Sequence, residues 1–203
     1  AFVVNAFVSL LKRADMTRYE LFLRETRTYE IIEDVKNFRS EIGVLFLNSY
    51  NRDVLTKMFD DNRLTYTSLF KARPHIFVSK SNPLAKHEVV SLEDLEDFPY
   101  LSYDQGIHNS FYYSEEILSQ IPHKKSIVVS DRATLFNLLI GLDGYTIATG
   151  ILNSNLNGDN IVSIPLDIDD EIDIVYLKHE KATLSKMGEK FLDNLVKEVT
   201  FDN

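Results

Sequence analysis

Val128-Val-Ser-Asp-Arg-Ala-Thr-Leu-Phe-Asn-Leu-Leu-Ile-Gly-Leu-Asp-Gly-Tyr-Thr-Ile-Ala-Thr-Gly150 is the stretch whose reading decides the fold. It begins as the end of a β-branched run, Ser126 to Val129, that suits a strand. The run breaks at Ser130, whose hydroxyl can accept from free helix N–H groups, and Asp131 follows where a carboxylate complements the helix dipole. Leu135, Leu138, Leu139 and Leu142 recur at helical spacing, Gly141 and Gly144 stop the helix, and Tyr145 to Thr149 reads as a second strand. This is a β-α-β unit, and open α/β sheets place small ligands at the carboxyl ends of such strands. Its glycines end a helix and do not precede one, which excludes a phosphate-binding fingerprint.

Outward from this unit the same alternation recurs. Phe2, Val3, Ala6, Phe7, Leu10 and Leu11 form a helical stripe at the start of the chain, with no cap before it. Tyr19 to Arg24 alternates as a strand, Thr26 and Thr28 can cap a helix carrying Ile31, Ile32, Val35 and Phe38 on one face, and Glu41 to Leu47 reads as a buried strand. A short helix is expected over Asp53 to Phe59, then strands over Leu64 to Leu69 and His75 to Lys80, parted by Arg73-Pro74. Ser81-Asn-Pro83 marks a turn, and Ser91 to Leu95 a capped helical turn. Phe98 to Tyr103 is a further strand, ending in the polar loop Asp104-Gln-Gly106. A helix is expected from Phe111 to Ile121, stopped by Pro122. Late strands follow at Ile161 to Leu166 and Ile172 to Leu177, and a closing amphipathic helix carries Leu184, Met187, Phe191, Leu195 and Val199.

The chain of 203 residues, 44% hydrophobic, is long enough for a substantial core without cysteine staples, of which it has none. Its formal charge of −9 argues against this segment gripping a nucleic-acid backbone, which needs clustered Lys and Arg. The apolar run Ala1 to Leu11 is much shorter than a membrane span. No secretion signal or glycosylation sequon is present, and a reducing cytoplasm is compatible with the lack of cysteine.

Catalytic motifs are missing. His87-Glu88 and His179-Glu180 begin like HExxH, but the fifth positions are Ser91 and Thr183. The run Asp167, Asp169, Asp170, Glu171 and Asp173 lacks the glycine of a calcium loop and reads as a solvated edge or turn. There is no GxSxG, P-loop or GxGxxG, so neither metal, cofactor nor catalytic residues are expected. The histidines His75, His108 and His123 read as structural or exposed, with His108 of interest beside Gln105 and Gly106.

Several segments taken together resemble the effector-binding domain of LysR-type transcriptional regulators. They are Arg24-Glu-Thr-Arg-Thr28 before a helix, Glu41-Ile-Gly-Val44, Phe77-Val-Ser-Lys-Ser-Asn-Pro-Leu-Ala85 followed by Val90-Ser-Leu-Glu-Asp-Leu95, Pro99-Tyr-Leu-Ser-Tyr103, and Gly141 to Ala148. Their order and spacing cover nearly the whole chain. The resemblance implies an α/β fold like type 2 periplasmic binding proteins: two Rossmann-like subdomains joined by two crossover strands, residues 1–71 with 174–203 forming the first and 72–173 the second. It also implies that the N-terminal winged helix-turn-helix, through which such regulators bind DNA, and a first strand with its loop lie outside this segment.

By the same resemblance, effector-facing positions fall where strands end and helices begin: Thr28, Asn48, Ser49, Tyr103, Gln105, Gly106, Ser130 and Thr149. Hydroxyls, amides and helix N–H groups at such places can hold a carboxylate or sulfate. Plain helix capping is the other reading of Thr28 and Ser130, and a core aromatic that of Tyr103. The function implied is sensing of a small effector, anionic or amino-acid-like, by a cytoplasmic homodimer or dimer of dimers that controls DNA-binding domains. An extracytoplasmic solute-binding protein is the alternative, and an enzyme on this fold would need an acid-base pair facing the cleft. In the side-by-side dimer of the family, Phe2 to Leu11 and Tyr19 to Arg24 would meet Phe111 to Ile121 and Ser126 to Val129 of the second copy.

Overall fold

The structure, a computed structural model, describes residues 2–14, 17–152 and 158–200. Helix α1 (Phe2–Arg13) is followed by α2 (Thr28–Lys36), strand β1 (Gly43–Leu47), α3 (Arg52–Asp61), β2 (Leu64–Ala72) and β3 (His75–Ser79). Then come β4 (Tyr100–Tyr103), β5 (Ser126–Val129), α4 (Arg132–Gly141), β6 (Tyr145–Ala148), β7 (Ile161–Pro165), β8 (Ile172–His179) and, last, α5 (Lys186–Thr200). Short 3-10 turns occupy Pro83–Lys86, Glu93–Leu95 and Phe111–Tyr113.

The strands form two sheets. In the first, β8 is central and pairs antiparallel with β1 and β2, in the order β1-β8-β2. In the second the order is β5-β4-β6-β3-β7, with β4 parallel to both β5 and β6. Strands β5 and β6 therefore flank β4 and are joined by α4, the β-α-β unit read from Val128 to Gly150. The chain passes from the first sheet to the second between Ala72 and His75, and returns between Pro165 and Ile172. These passages lie side by side, since Leu166 N–H donates to the carbonyl of Pro74 at 3.0 Å.

Packing follows from the apolar periodicity. Ile32 and Val35 of α2 and Leu55 and Phe59 of α3 are buried against Leu45, Leu47, Val175 and Leu177 of the first sheet. Full burial of each large side chain contributes about 1.5–3 kcal/mol. Strand β1 runs so close beneath α2 that a Cβ on Gly43 would lie 2.7 Å from Ile31 Cγ2 and 2.9 Å from Val35 Cγ2. In the second sheet Leu135 and Leu139 of α4 pack on Phe77, Leu101 and Val129. Helix α1 is held by α5, with the Phe7 and Phe191 rings edge to face at 6.2 Å.

Five local expectations differ from what forms, the first being Phe38, which follows the end of α2 at φ +57° and is 62% exposed instead of sharing a face with Ile31, Ile32 and Val35. Tyr19 to Arg24 forms no strand and pairs with none among the described residues, leaving Phe22 82% exposed, so the first β-α-β unit has only its helix and second strand. The helix expected over Phe111 to Ile121 is one 3-10 turn followed by bends, with Leu118 at φ +60°, a left-handed backbone that a helix does not admit. Helix α4 is capped by Asp131, whose side chain accepts from Thr134 N–H at 2.9 Å, and not by Ser130. The acidic run is not wholly solvated either: Asp173 is 5% exposed and accepts from Arg52 and Ser68, while Asp170 accepts from Asn48 and Ser49.

Candidate functional site

Between the two sheets lies a cavity of about 730 Å³. It is lined from the first sheet and its helices by Val44, Phe46, Ile174, Thr28 of α2, Phe2, Phe7 and Leu10 of α1 and Met187 and Phe191 of α5, from the second by Phe77, Tyr103, Leu135 and Thr146 to Thr149, and by the segment Glu20 to Thr26. Charged groups are set into this largely apolar surface: Arg24 and Glu25 from that segment, Glu115 and Glu116 from the bends after Phe111–Tyr113, and Arg132 from the start of α4. Such a mixture of apolar walls and a few convergent polar groups is typical of small-molecule sites.

Helix α2 presents its N-terminus here. Arg27 occupies the cap position with extended backbone, and its side chain makes no cap hydrogen bond. Thr28, 6% exposed, is the first helical residue and lines the cavity. An uncapped helix N-terminus favours an anionic group through its free N–H donors and its dipole. Arg27 is turned away: its Nη2 lies 2.7 Å from Asp104 Oδ2, and its Nε donates to the Asp104 carbonyl at 3.0 Å.

On the opposite wall the carboxylates outnumber the cations. Arg132 is bound by Glu25 at 2.5 Å. Glu116 accepts from Tyr103 N–H at 2.9 Å through one oxygen, while its other oxygen is buried without a partner. Glu115 accepts from the Gln105 amide at 3.4 Å. Burial pushes Glu116 up to about 8, reinforced by the charge of Glu115, and pushes Glu115 up to about 7, partly offset by Gln105. Burial also raises the Tyr103 hydroxyl well above its ordinary range.

The eight positions expected to face an effector fall into three groups. Thr28, Tyr103 and Thr149 line the cavity together. Gln105 lies beside it, contacting Glu115 and lining a smaller hollow of about 460 Å³ with Arg24, Arg27 and His108. Asn48 and Ser49 are committed to Asp170 at 3.1 and 3.2 Å, Gly106 N–H donates to Asp104 at 2.9 Å, and Ser130 is exposed; none of these four lines the cavity. Sequence reading passed over Glu25, Glu115, Glu116 and Arg132. The adjacent pair Glu115-Glu116 inside an aromatic-rich stretch was the available signal, hidden by taking that stretch as a regular amphipathic helix.

The segment that follows Gln105 also ties the two bodies together. His108 stacks on Tyr29 with ring centroids 3.4 Å apart, Tyr112 stacks on Tyr50 at 4.8 Å, and Tyr113 O–H donates to Met58 Sδ at 3.6 Å. Among the described residues no group of His, Asp and Glu is placed to hold a metal ion, and no helix is long and apolar enough to cross a membrane.

Two sheets with their helices, facing each other across a polar-and-apolar cleft, are a framework for holding a small molecule. The chain belongs to the family of LysR substrate-binding domains, whose model matches residues 13–200. That family is a regulatory, effector-binding one, and the chain is accordingly an effector-sensing domain with the type 2 periplasmic-binding-protein-like fold. Among solved structures it is similar to the effector-binding domain of QuiR in complex with shikimate, at 17% identity and a TM-score of 0.62, covering 96% of this chain and 88% of that one. The effector-binding domain of BenM with benzoate matches at 17% identity and a TM-score of 0.63, covering 100% and 87%. The reduced OxyR regulatory domain of Pseudomonas aeruginosa matches at 12% identity and a TM-score of 0.67, covering 98% and 90%. No curated protein matches the chain.

Proposed function

We propose that this chain is the sensing part of a LysR-type transcriptional regulator, that it binds a small anionic or amino-acid-like metabolite in the cavity between its sheets, and that occupancy is passed to a DNA-binding part outside these residues. The observation that carries the reading is the cavity of about 730 Å³, which holds several charged side chains and is lined by Thr28, the first residue of α2, a helix whose cap residue makes no side-chain cap hydrogen bond. A carboxylate placed there would meet N–H donors at no cost in displacing a side-chain cap. Of the eight positions read from sequence, Thr28, Tyr103 and Thr149 are the proposed ligand contacts, with Gln105 acting through Glu115. QuiR and BenM, which hold shikimate and benzoate, share the fold and lend support to a carboxylate-bearing effector.

The division into residues 1–71 with 174–203 and 72–173 is proposed as the functional one, supported by the membership of the two sheets. A dimer in the cytoplasm and the lack of turnover belong to the same reading. A thermal-shift screen of carboxylates and amino acids tests the proposal. Saturable stabilisation by at least one of them, with no chemical conversion, is expected; turnover of the bound compound would instead indicate an enzyme. A ligand must bind the two arrangements of the walls with different affinity to act as a switch.

A further inference from the structure

The anion-favouring end of the cavity at α2 leaves the far wall unexplained. There, Glu115 and Glu116 stand side by side with no Arg or Lys within ion-pair distance among the described residues, because Arg132 is engaged by Glu25, and Arg27 by Asp104 and Glu30. Glu116 is only 4% exposed, lines the cavity, and has one carboxyl oxygen without any partner. Gln105, also 4% exposed, holds Glu115 with its amide nitrogen while its own oxygen is unpartnered. A buried acceptor without a donor costs about 1–3 kcal/mol, more when charged, so Glu116, which lines the cavity with Glu115 while Gln105 lies beside it, is complementary to a donor brought in from outside. Phe77, Leu135, Phe136 and Ile147 give the same side of the cavity an apolar surface that suits a hydrocarbon body.

We propose that the effector carries a primary ammonium group seated on Glu115 and Glu116, joined to an apolar body that lies along Phe77 and Leu135. Together with the carboxylate proposed for the α2 end, this makes it a zwitterionic amino acid with an apolar side chain. The inference rests on the cavity being the effector site. Seating an ammonium group requires ionised carboxylates, so binding near neutral pH releases protons from this pair. The groups facing the pair are Glu25 from the segment before α2, Arg27 at its cap, Arg132 from α4, Tyr100 and Tyr103 of β4 and Gln105. Of these, only the two arginines favour the ionised forms by charge, and both are already paired.

Calorimetric titration of the 203-residue chain with L-leucine, L-methionine and L-phenylalanine, each against its analogue lacking the amino group, decides the matter. At least one amino acid should bind about tenfold or more tightly than 4-methylpentanoate, 4-methylsulfanylbutanoate or 3-phenylpropanoate respectively, the gain of a hydrogen-bonded ion pair. Its titration in buffers of different ionisation enthalpy should show proton release at pH 7, and its affinity should rise between about pH 6 and about pH 8. Glu116→Gln should weaken it by about tenfold. Equal binding of an amino acid and its analogue, or binding only by acids without an amino group, overturns the ammonium assignment and leaves the sensor reading intact. Silence across these compounds overturns the ammonium assignment as well, and silence across the wider carboxylate screen overturns the cavity as an effector site.

Discussion

Gly43 sits where β1 passes beneath α2, and the space for a side chain there is already filled by Ile31 and Val35. Its replacement by alanine forces the helix off the sheet by a few tenths of an ångström at each contact. The expected cost is about 1–3 kcal/mol, typical of overpacking, and is read as a lower urea midpoint with unchanged slope. Glu116 makes a different kind of prediction. Below about pH 4.5 it is protonated in both folded and unfolded chains and contributes no pH dependence. Between its ordinary value of 4.5 and about 8, the folded chain keeps a proton that the unfolded chain has released, so stability falls as pH rises and the loss is complete above about 8. Glu116→Gln removes this slope. Measured from pH 5 to pH 9, the wild-type chain should lose more stability than the variant, with an upper bound of about 5 kcal/mol; parallel profiles would mean that the carboxyl is solvated.

Helix α4 shows how one element was read well and its cap misread. The leucine spacing located it to within a residue or two, because Leu135 and Leu139 must both reach the second sheet. Ser130 and Asp131 are both good caps by type, and only the backbone distinguishes them: Asp131 is extended and its carboxylate accepts from Thr134 N–H and Thr134 Oγ. Asp131→Ala is therefore expected to cost about 1 kcal/mol in denaturant unfolding. Ser130→Ala, on an exposed residue that caps nothing, should stay within about 0.5 kcal/mol of the parent. The same limit explains the other misreadings. Alternating apolar residues from Tyr19 to Arg24 specify an extended backbone, but a strand also needs a partner edge, and that is not a local property. Aromatic and apolar residues from Phe111 to Ile121 match helical spacing, yet Tyr112, Tyr113 and Ile117 are used for stacking and core contacts that a regular helix would not supply together. Pair-specific features such as Asn48 and Ser49 on Asp170, or Arg132 on Glu25, join residues more than a hundred positions apart and leave no short-range trace.

At the scale of the molecule, the two sheets share a continuous cavity wall and are joined by two adjacent chain passages, by the Arg27–Asp104 ion pair and by the Tyr29–His108 and Tyr50–Tyr112 stacks. Exposed ion pairs contribute little by themselves, about 0–1 kcal/mol. A molecule filling the cavity touches both walls and binds only the folded arrangement. Its effect on stability then follows from mass action alone: at a concentration one hundred times its dissociation constant it adds about 2.7 kcal/mol. For a chain of this size that corresponds to a rise in melting temperature of roughly 5–11 °C, growing with the logarithm of ligand concentration. A ligand that bound one sheet alone would stabilise that body and split the transition into two steps. A single, concentration-dependent shift of the whole transition is therefore the expected signature of an occupant spanning Thr28 on one side and Glu116 on the other, and a split transition would place it on one wall.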